Sequence, residues 1–285
     1  MEATLFSGQS FFWNRTADGY VGAVAENAAA LHRDGGAWRL VWEGEADAPF
    51  WRAYFDLDRD YGRIAGLYRG DSLVQTAFSN QNGLRVLQQP VWETLIGAMI
   101  SANNNDRRIR KNVASLASAY GQARRIEQTE VMLFPRAQAL ACVQEEALRA
   151  QGLGYRAAYV RETARRVADG FDLEGLRQAD YETALARLRT LPGVGEKVAD
   201  CVLLFSCGFT QAFPVDVWIA RVMENGYGMR GTRHGIKRQS LALFGDYAGI
   251  VQQVLFHSAR CGGLKGIGSK APRPGQTSPV DAGSV

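Results

Sequence analysis

The chain has 285 residues, which is enough for about two domains of ordinary size. Hydrophobic residues make up 46% and charged residues 22%, and these values exclude a globally disordered or fibrous chain. The net charge of +4 is too small to indicate a partner by itself, although only five of the 33 basic residues are lysines.

No segment indicates secretion or insertion into a membrane. Residues 1–13 lack a basic region followed by a long apolar core, and the densest apolar run, residues 202–209, is far shorter than the roughly 20 residues that span a bilayer. The four cysteines form no CxxC pair and the three histidines are scattered. We therefore expect no disulfide, metal, iron–sulfur cluster or other cofactor, and we expect a cytoplasmic monomer.

The first elements are predicted to be strands. Residues 1–45 alternate short aromatic and β-branched runs with turn residues, and residues 37–42 alternate apolar and polar side chains, which is typical of a half-buried strand. The pattern changes near Pro49, where residues 50–55 indicate a helical turn. We predict an N-terminal domain over residues 1–88 built on a small antiparallel β-sheet.

The rest of the ordered chain is predicted to be helical. From Val91 to Phe256 apolar residues recur at three- and four-residue spacing, broken at Gly152-Leu153-Gly154. In residues 262–285, 9 of 24 residues are Gly or Pro, which predicts a disordered tail. The predicted fold class is α+β: the small sheet domain is followed by a mostly α-helical domain over residues 89–261 that contains a helix-hairpin-helix.

The positive charge is concentrated in the middle of the chain. Residues 101–170 carry 12 basic and 7 acidic residues, and four of the five positions 107–111 are basic. Such a surplus favours a surface that faces a polyanion, although solvated helix faces would give the same count. The preceding segment, Asn103-Asn104-Asn105, indicates a polar loop that caps the basic helix.

The most informative segment is Leu191-Pro192-Gly193-Val194-Gly195. It joins a helix predicted over residues 181–189 to a second helix that begins near Glu196. Proline ends the first helix, the glycines permit a tight turn and close approach, and the free N–H groups of the second helix suit a phosphate. This arrangement is typical of a motif that binds a nucleic-acid backbone without reading its sequence, although an αα-turn in an ordinary bundle remains the alternative.

Two charged residues near this turn suggest covalent chemistry. Lys197 lies in the first turn of the second helix, where a cation opposes the helix dipole, and Asp216 follows in Pro214-Val215-Asp216. A lysine amine can form a Schiff base, and a carboxylate can stabilise positive charge on a sugar. Asp216 is also predicted to be the N-cap of a helix over residues 217–224. We expect Lys237, Lys265 and Lys270 to be solvated charges in loops or the tail.

These residues resemble a known family. Residues 191–201, followed by Pro214-Val215-Asp216, closely resemble the helix-hairpin-helix glycosylase superfamily and, within it, the bacterial type of 8-oxoguanine DNA glycosylase. Four further segments resemble family motifs in the family's order: Ser7-Gly8-Gln9-Ser10-Phe11, Ser101-Ala102-Asn103-Asn104-Asn105, Gly152-Leu153-Gly154-Tyr155-Arg156, and Gln252 with Val254-Leu255-Phe256.

The resemblance implies a base-excision repair enzyme that flips 8-oxoguanine out of duplex DNA and removes it. It makes Lys197 the nucleophile and Asp216 its essential partner, with strand nicking by β-elimination. The implied base-binding residues are Gly8, Cys201, Pro214, Asp216, Gln252 and Phe256. Of these, Cys201 and Phe256 would sandwich the base, Gln252 would bind its Watson–Crick edge, and the Gly8 carbonyl would accept the N7–H that guanine lacks. The implied DNA-binding residues are Asn103, Arg108, Tyr155, Arg156, Gly193, Gly195 and Val198.

The sequence departs from the family pattern at two positions and leaves other readings open. Trp218 stands where a histidine is usual two residues after the aspartate, and Phe205 replaces a common methionine. Without the family, Cys201 and Phe256 are core residues and Gly8 is a strand or bulge glycine. The open alternatives are a glycosylase for another damaged base, a non-catalytic DNA-binding module, and a purely structural bundle.

Overall fold

The computed structural model describes residues 1–81, 83–264 and 267. Most of the predicted disordered tail, 262–285, lies outside the described residues. The fold is α+β: a four-stranded antiparallel sheet comes first and a helical region follows. The strands are β1 (Trp13–Arg15), β2 (Gly19–Val24), β3 (Asn27–Asp34), β4 (Ala37–Glu43), β5 (Ala123–Ile126) and β6 (Thr129–Met132).

The described residues also form helices along most of the chain. In the N-terminal part they are α1 (Glu2–Leu5), α2 (Ala48–Tyr54), α3 (Tyr61–Leu67) and α4 (Ser72–Asn80). In the central part they are α5 (Val91–Ser101), α6 (Asp106–Tyr120), α7 (Ala137–Ala141), α8 (Glu145–Leu148) and α9 (Arg156–Ala168). In the C-terminal part they are α10 (Tyr181–Arg189), α11 (Glu196–Ser206), α12 (Val217–Tyr227), α13 (Arg233–Phe244) and α14 (Ala248–Arg260).

Tight turns and one glycine contact build the N-terminal sheet. The strands lie in the order β1-β2-β3-β4, and the turn from β3 to β4 is Gly35-Gly36, where Gly35 has a φ of 57°. Such left-handed two-residue turns match the twist of the paired strands. Trp13 is fully buried opposite Gly22, where a Cβ atom would lie 2.7 Å from the indole. The indole packs with Tyr54 and Phe55, so α2 covers this face of the sheet.

The hairpin of β5 and β6 was not predicted, although the region around it is mostly helical, as expected. It lies inside the span expected to be mostly helical, between α6 and α7. Its Ile126 and Val131 pack with Val21 and Ala28 of the first sheet, so the hairpin extends the N-terminal core. Each strand has only four residues, too few for an alternating pattern to outweigh the helical periodicity on either side.

Side-chain caps set the beginnings of many helices. At these helices an Asp, Asn or Thr side chain accepts a hydrogen bond from a backbone N–H of the first turn, which satisfies one of the free donors there. The capping residues are Asp47, Asp60, Asp71, Asn105, Asp180, Asp216 and Thr232. Helix α11 differs because its N-cap, Gly195, has no side chain to offer.

The helical region has two apolar cores. The larger core packs α5 against α11 and includes Ile96, Val160, Leu188 and Val202. The second core surrounds the buried helix α14, which packs on α4 and α12. The N-terminal loop of residues 7–11 is tied to α14 by hydrogen bonds from Gln253 to Ser7. Residues of this loop and Lys197 in the first turn of α11 line the same cavity.

Among the helices of the described residues, none is long and apolar enough to cross a membrane.

Candidate active site

The helix-hairpin-helix turn forms where it was predicted. Helix α10 ends at Arg189 and α11 begins at Glu196, and the side chains of Leu191 and Val194 are buried beneath the turn. Gly193 has a φ of 75°, and a Cβ there would lie 2.7 Å from the Tyr159 ring. Only glycine fits this position without displacing α9 or straining the backbone.

The first turn of α11 presents free backbone N–H groups to the surface. Gly195 is exposed, a Cβ there would meet nothing within 4 Å, and no side chain caps the helix. An uncapped helix N-terminus with its positive dipole end is suited to an anion such as a phosphate. The Val198 side chain is buried in the core, so this residue offers an anion only its backbone.

Lys197 projects from this first turn into a small cavity. Its Nζ donates a hydrogen bond to Ser101 Oγ at 3.0 Å, and the residue is only partly exposed. The cavity has a volume of about 30 Å³ and is lined by residues of the N-terminal loop, α5 and α11. Gly8, Cys201 and Phe205 are among the lining residues. The amine is therefore held beside the predicted base-binding residues and is partly shielded from bulk solvent.

Cys201 lies one helical turn after Lys197 on α11. Burial raises the pKa of its thiol, and the Lys197 charge and hydrogen bond oppose that rise. Asp216 also acts electrostatically on the Cys201 thiol, so Lys197 and Asp216 both lie near this side chain. A neutral thiol offers a compact, polarisable surface rather than a charge. The structure thus groups three of the predicted site residues.

Asp216 is the N-cap of α12, as predicted. Its Oδ1 accepts a hydrogen bond from Ile219 N at 2.8 Å, and α12 runs three residues beyond the predicted end at 224. The cap holds the carboxylate at a fixed place while the side chain stays partly exposed. A capping role and a role toward a positively charged sugar are compatible, since a carboxylate has a second oxygen.

Gly8 lies in a bend rather than in a strand or bulge. Its φ is 84°, and a Cβ would lie 3.3 Å from Phe256 Cε1 and 3.0 Å from Arg260 Nη1. The next residue, Gln9, is buried and bonds to the backbone of Thr4, Arg85 and Leu87. The loop is thus rigidly held, and the Gly8 backbone lies against the Phe256 ring.

The remaining predicted pocket residues come from α14 and the segment before α12. Gln252 is buried, and its Nε2 donates to the Pro214 carbonyl at 3.1 Å. Among the described residues no group donates to Gln252 Oε1, which is also buried. A buried amide oxygen without a donor is costly, so this atom is ready to accept a hydrogen bond from a ligand.

Four of the predicted DNA-contacting residues, Asn103, Arg108, Tyr155 and Arg156, lie in or next to the loop between α5 and α6. Asn103 is exposed with a φ of 50°, in the asparagine loop (residues 102–105) between α5 and α6. Arg156 donates to the carbonyls of Ala102 and Asn103, and its guanidinium lies 4.5 Å from the Tyr155 ring. Tyr155 is 51% exposed. Arg108 is exposed on α6, in the first turn after the loop.

Arg156 has a role here that the sequence did not suggest. The residue is 7% exposed, and its guanidinium holds the asparagine loop rather than standing free in solvent. The loop is also anchored through Asn112, whose Oδ1 accepts a hydrogen bond from Asn104 and whose Nδ2 donates to Gln151 O and lies against Gly152. The asparagine loop and the Gly152–Gly154 segment are therefore held together by these contacts.

Lys237 corrects the prediction of a solvated lysine. It lies within α13 and is 5% exposed, and its Nζ is 2.8 Å from Asp200 Oδ2 and 3.1 Å from Glu196 Oε1. Tyr181 donates a hydrogen bond of 2.5 Å to the other Asp200 oxygen. Lys265 and Lys270 lie outside the described residues. The buried Lys237–Asp200 pair ties α13 to the helix that carries Lys197.

Three further residues of the site were missed by sequence reasoning. Ser101 holds the Lys197 amine, Arg260 lies over the Phe256 ring at 5.3 Å, and Glu93 brings a buried carboxyl to the cavity. Of these three residues, only Glu93 could have been singled out from the sequence, because it is a carboxylate within an apolar helix face. Trp218 is partly buried under the guanidinium of Arg221, 5.7 Å from its ring.

Within the described residues, no three His, Cys, Asp or Glu side chains converge in a way that would hold a metal ion.

Comparisons with known proteins match both parts of the chain. Residues 1–95 match the model of the 8-oxoguanine DNA glycosylase N-terminal domain, and residues 96–244 match the model of the HhH-GPD superfamily of base excision DNA repair proteins. The Arabidopsis thaliana N-glycosylase/DNA lyase OGG1 is 32% identical over 274 residues, covering 89% of this chain and 75% of the relative.

Two further relatives are similar over comparable lengths. A protein of Methanothermobacter thermautotrophicus named "Probable N-glycosylase/DNA lyase" is 33% identical over 231 residues, which is 74% of each chain. The structure of Clostridium acetobutylicum 8-oxoguanine glycosylase/lyase, solved with double-stranded DNA containing cytosine opposite 8-oxoguanine, superposes with a TM-score of 0.85. It is 29% identical, and 92% of each chain is covered.

Proposed function

This chain belongs to the HhH-GPD superfamily of base excision DNA repair proteins and, within it, to the 8-oxoguanine N-glycosylase/DNA lyases, and we propose how its site acts. The substrate is duplex DNA that contains 8-oxoguanine, and the enzyme both removes the base and cleaves the strand. The observation that carries the mechanism is the Lys197 amine, held by Ser101 in a cavity at the uncapped end of α11.

Base removal would proceed by attack of Lys197 on the sugar. Lys197 gives up a proton and its amine forms a bond to C1′ while the bond from C1′ to N9 breaks, and the base leaves with the electron pair and takes up that proton. Asp216 stabilises the positive charge that develops on the sugar, as carboxylates do in glycoside hydrolysis. The sugar ring then opens to leave a Schiff base between C1′ and Lys197 Nζ.

Strand cleavage would follow from the same intermediate. The Schiff base acidifies the C2′ proton, so that its removal expels the 3′ phosphate by β-elimination, and water then releases the lysine. The uncapped N-terminus of α11 supports this role, since its free N–H groups are suited to a backbone phosphate close to the reacting sugar. In this proposal, the phosphate is bound by the backbone of Gly193, Gly195 and Val198.

The extruded base would lie between Cys201 and Phe256. A base must leave the stack before its sugar can be attacked in this way. The Gly8 carbonyl accepts the lesion's N7–H, Gln252 meets its Watson–Crick edge, and Pro214 and Asp216 complete the pocket wall. The buried Gln252 oxygen, which has no donor among the described residues, supports this assignment. The cavity of about 30 Å³ holds little more than a water molecule, so base entry requires the pocket walls to move apart.

The space left in the duplex would be filled from the exposed surface. We propose that Asn103 occupies the gap, that Tyr155 wedges into the stack, and that Arg108 and Arg156 bind the unpaired cytosine. Arg156 would release the carbonyls of Ala102 and Asn103 to do so, which couples cytosine recognition to movement of the asparagine loop.

We further propose that the enzyme acts as a monomer at the nucleoid in the cytoplasm, with residues 1–88 and 89–261 as its two domains.

The decisive experiment is reductive trapping. Purified protein is mixed with a duplex containing 8-oxoguanine opposite cytosine, borohydride is added, and the covalent complex is resolved by electrophoresis. The wild-type protein and a Lys111→Gln control, which removes an exposed lysine of α6, should form the complex. Lys197→Gln should form none while still binding DNA. A complex of undiminished yield with Lys197→Gln would overturn the assignment of the nucleophile.

A further inference from the structure

Two tyrosines lie exposed on the surface beside the hairpin turn (residues 191–195). Tyr155 is 51% exposed and Tyr159 is 42% exposed, and they are two of the six exposed large hydrophobic residues in the part of the chain that the structure describes. Tyr159 follows Tyr155 by four positions, so both side chains lie on one face at the beginning of α9. The proposed function uses Tyr155 as the wedge and gives Tyr159 no role.

The Tyr159 ring packs directly on the hairpin turn. A Cβ atom at Gly193 would lie 2.7 Å from Cγ and Cδ2 of Tyr159, so the ring lies against the bare Gly193 backbone. The same ring meets Tyr155, with the centroids 6.3 Å apart and the ring planes at 82°. Aromatic side chains attract each other in this edge-to-face arrangement. Tyr159 therefore contacts both the proposed phosphate grip and the proposed wedge.

The contacts continue from Tyr155 to the asparagine loop. The Arg156 guanidinium lies 4.5 Å from the Tyr155 ring and donates hydrogen bonds to the carbonyls of Ala102 and Asn103. A continuous series of contacts thus runs from the hairpin turn through the two tyrosines to the loop that carries Asn103. In this series Tyr159 is the link between the turn and the residues proposed to enter the duplex.

The hairpin turn has supports on α9 other than Tyr159. Thr163 Oγ1 donates to the Pro192 carbonyl at 3.4 Å, and Arg166 Nη1 donates to the Thr190 carbonyl at 2.9 Å. These bonds keep α9 attached to the turn even without the Tyr159 ring. The half-exposed wedge, in contrast, would lose one of the two side chains that hold its ring.

A fixed distance between the phosphate grip and the wedge favours base extrusion. Extrusion costs free energy because a base must leave its stack, and contacts to the DNA backbone supply free energy elsewhere on the duplex. Binding free energy from such remote contacts can offset distortion at the reacting centre. It does so here only if the turn and the wedge are held together, since a loosely held wedge would turn away from the stack instead of opening it.

We propose that Tyr159 is a positioning residue that holds Tyr155 at a fixed place relative to the hairpin turn, so that phosphate binding by the turn drives the wedge into the base stack. The inference rests on the proposed function and deepens it. Tyr159 acts through Tyr155 and touches neither the base nor the reacting sugar. Both of its contacts are made by the ring, so phenylalanine should serve equally well at this position.

The test measures DNA binding and the two reactions separately. Affinity is measured by fluorescence anisotropy on a duplex that carries a tetrahydrofuran abasic analogue, which forms no Schiff base. Single-turnover rates are measured for excision of 8-oxoguanine opposite cytosine and for cleavage of a preformed abasic site in the same duplex. An abasic site has no base to unstack, so its cleavage depends on the hairpin turn and Lys197 but not on the wedge.

The variants separate the ring from its hydroxyl and from the wedge. They are Tyr159→Ala, Tyr159→Phe, Tyr155→Ala and the double variant Tyr155→Ala with Tyr159→Ala. Leu67→Ala is the control, because it removes an apolar side chain from α3 that is 61% exposed.

The expected loss is confined to excision. Tyr159→Ala should slow excision by about tenfold, the loss expected for one aromatic pair, while affinity and abasic-site cleavage stay within about twofold of the wild type. Tyr159→Phe and Leu67→Ala should match the wild type in all three measurements. The double variant should excise no more slowly than Tyr155→Ala, because Tyr159 acts through Tyr155.

Four outcomes would overturn the proposal. Excision by Tyr159→Ala at the wild-type rate would show that the ring is dispensable, and slow excision by Tyr159→Phe would show that the ring is not what acts. An equal loss of affinity and of both reactions in Tyr159→Ala would show that the ring only supports the hairpin turn. Losses that multiply in the double variant would show that Tyr159 acts independently of Tyr155.

Failure of the proposed function would look different. Excision by Tyr155→Ala at the wild-type rate would remove the wedge on which the inference rests. A wild-type protein that cleaves abasic sites but removes no 8-oxoguanine would overturn the proposed function itself.

Discussion

The buried pair behind the hairpin makes a strong prediction about stability. Lys237 and Asp200 have side chains that are 6% and 1% exposed, and they are 2.8 Å apart. Replacing Lys237 with methionine keeps the length of the side chain and removes only the charge. Asp200 is then left with the Tyr181 hydroxyl as its remaining described partner.

The cost follows from the burial of the remaining carboxylate. Removing one member of a buried ion pair costs about 3–5 kcal/mol, because the other charge stays desolvated. Protonation of Asp200 lowers this cost, since burial already raises its pKa and the carboxylate can take up a proton. We therefore expect the lower end, about 3 kcal/mol, which for a chain of this length is a shift of about 1 M in the urea midpoint.

The pH dependence has a definite sign. An unfolded aspartate loses its proton at about pH 4, whereas the Asp200 pKa in the folded protein is raised, and in Lys237→Met it rises further. Above pH 4 the folded state then holds a proton that the unfolded state has lost. The free energy of unfolding must fall as the pH rises toward the raised pKa. It should fall more steeply in Lys237→Met than in the wild type.

Urea unfolding followed by circular dichroism at pH 6 and pH 8 measures both effects. Lys111→Met is the matched control, since Lys111 is exposed on α6 and its loss should change stability by less than about 0.5 kcal/mol. The double variant Lys237→Met with Asp200→Leu should recover stability, because no buried charge remains. If Lys237→Met unfolds at the wild-type urea concentration at both pH values, the reasoning about this pair is wrong.

Three further substitutions test the site. Gly8→Ala combines a φ of 84° with a methyl 3.0 Å from Arg260 Nη1, so excision should slow while abasic-site cleavage is retained. Gly35→Ala, where a Cβ meets nothing within 4 Å, should leave both rates unchanged. Gly193→Ala places a methyl 2.7 Å from Tyr159 and should weaken DNA binding by about tenfold in anisotropy titrations. The control Gly170→Ala, where a Cβ meets nothing within 4 Å, should bind DNA as the wild type does. Arg156→Ala frees the asparagine loop and should slow single-turnover excision opposite cytosine, whereas Arg149→Ala, which removes an exposed pair with Glu145, should not.

The local elements were predictable where the signal was local. The Pro192–Gly195 turn, the start of α11 and the Asp216 cap depend on backbone preferences of a few adjacent residues, and the structure has them all. Strand β3 gave a weaker signal because its Ala28, Ala29 and Ala30 favour no strand by themselves. The β5–β6 hairpin was missed because its stability comes from packing on the first sheet.

Charges were the least predictable feature. Lys237 and Arg156 are ordinary basic residues in the sequence, yet one is buried against Asp200 and the other holds the asparagine loop. The amino-acid sequence alone does not reveal which distant group will pair with a charged side chain. The same applies to Glu93, whose partner Ala25 is 68 residues away.

The sequence by itself therefore determined that a small sheet precedes a mostly helical region, and it determined the helix-hairpin-helix and the Asp216 cap, because these depend on preferences and contacts of neighbours along the chain. Only the tertiary structure decided that Lys197 meets Ser101 and that Gly8 lies against Phe256. It also decided that Glu93 remains buried beside them. These contacts join residues far apart in the chain, and the packing of α5, α11 and α14 around the N-terminal loop is what brings them within bonding distance.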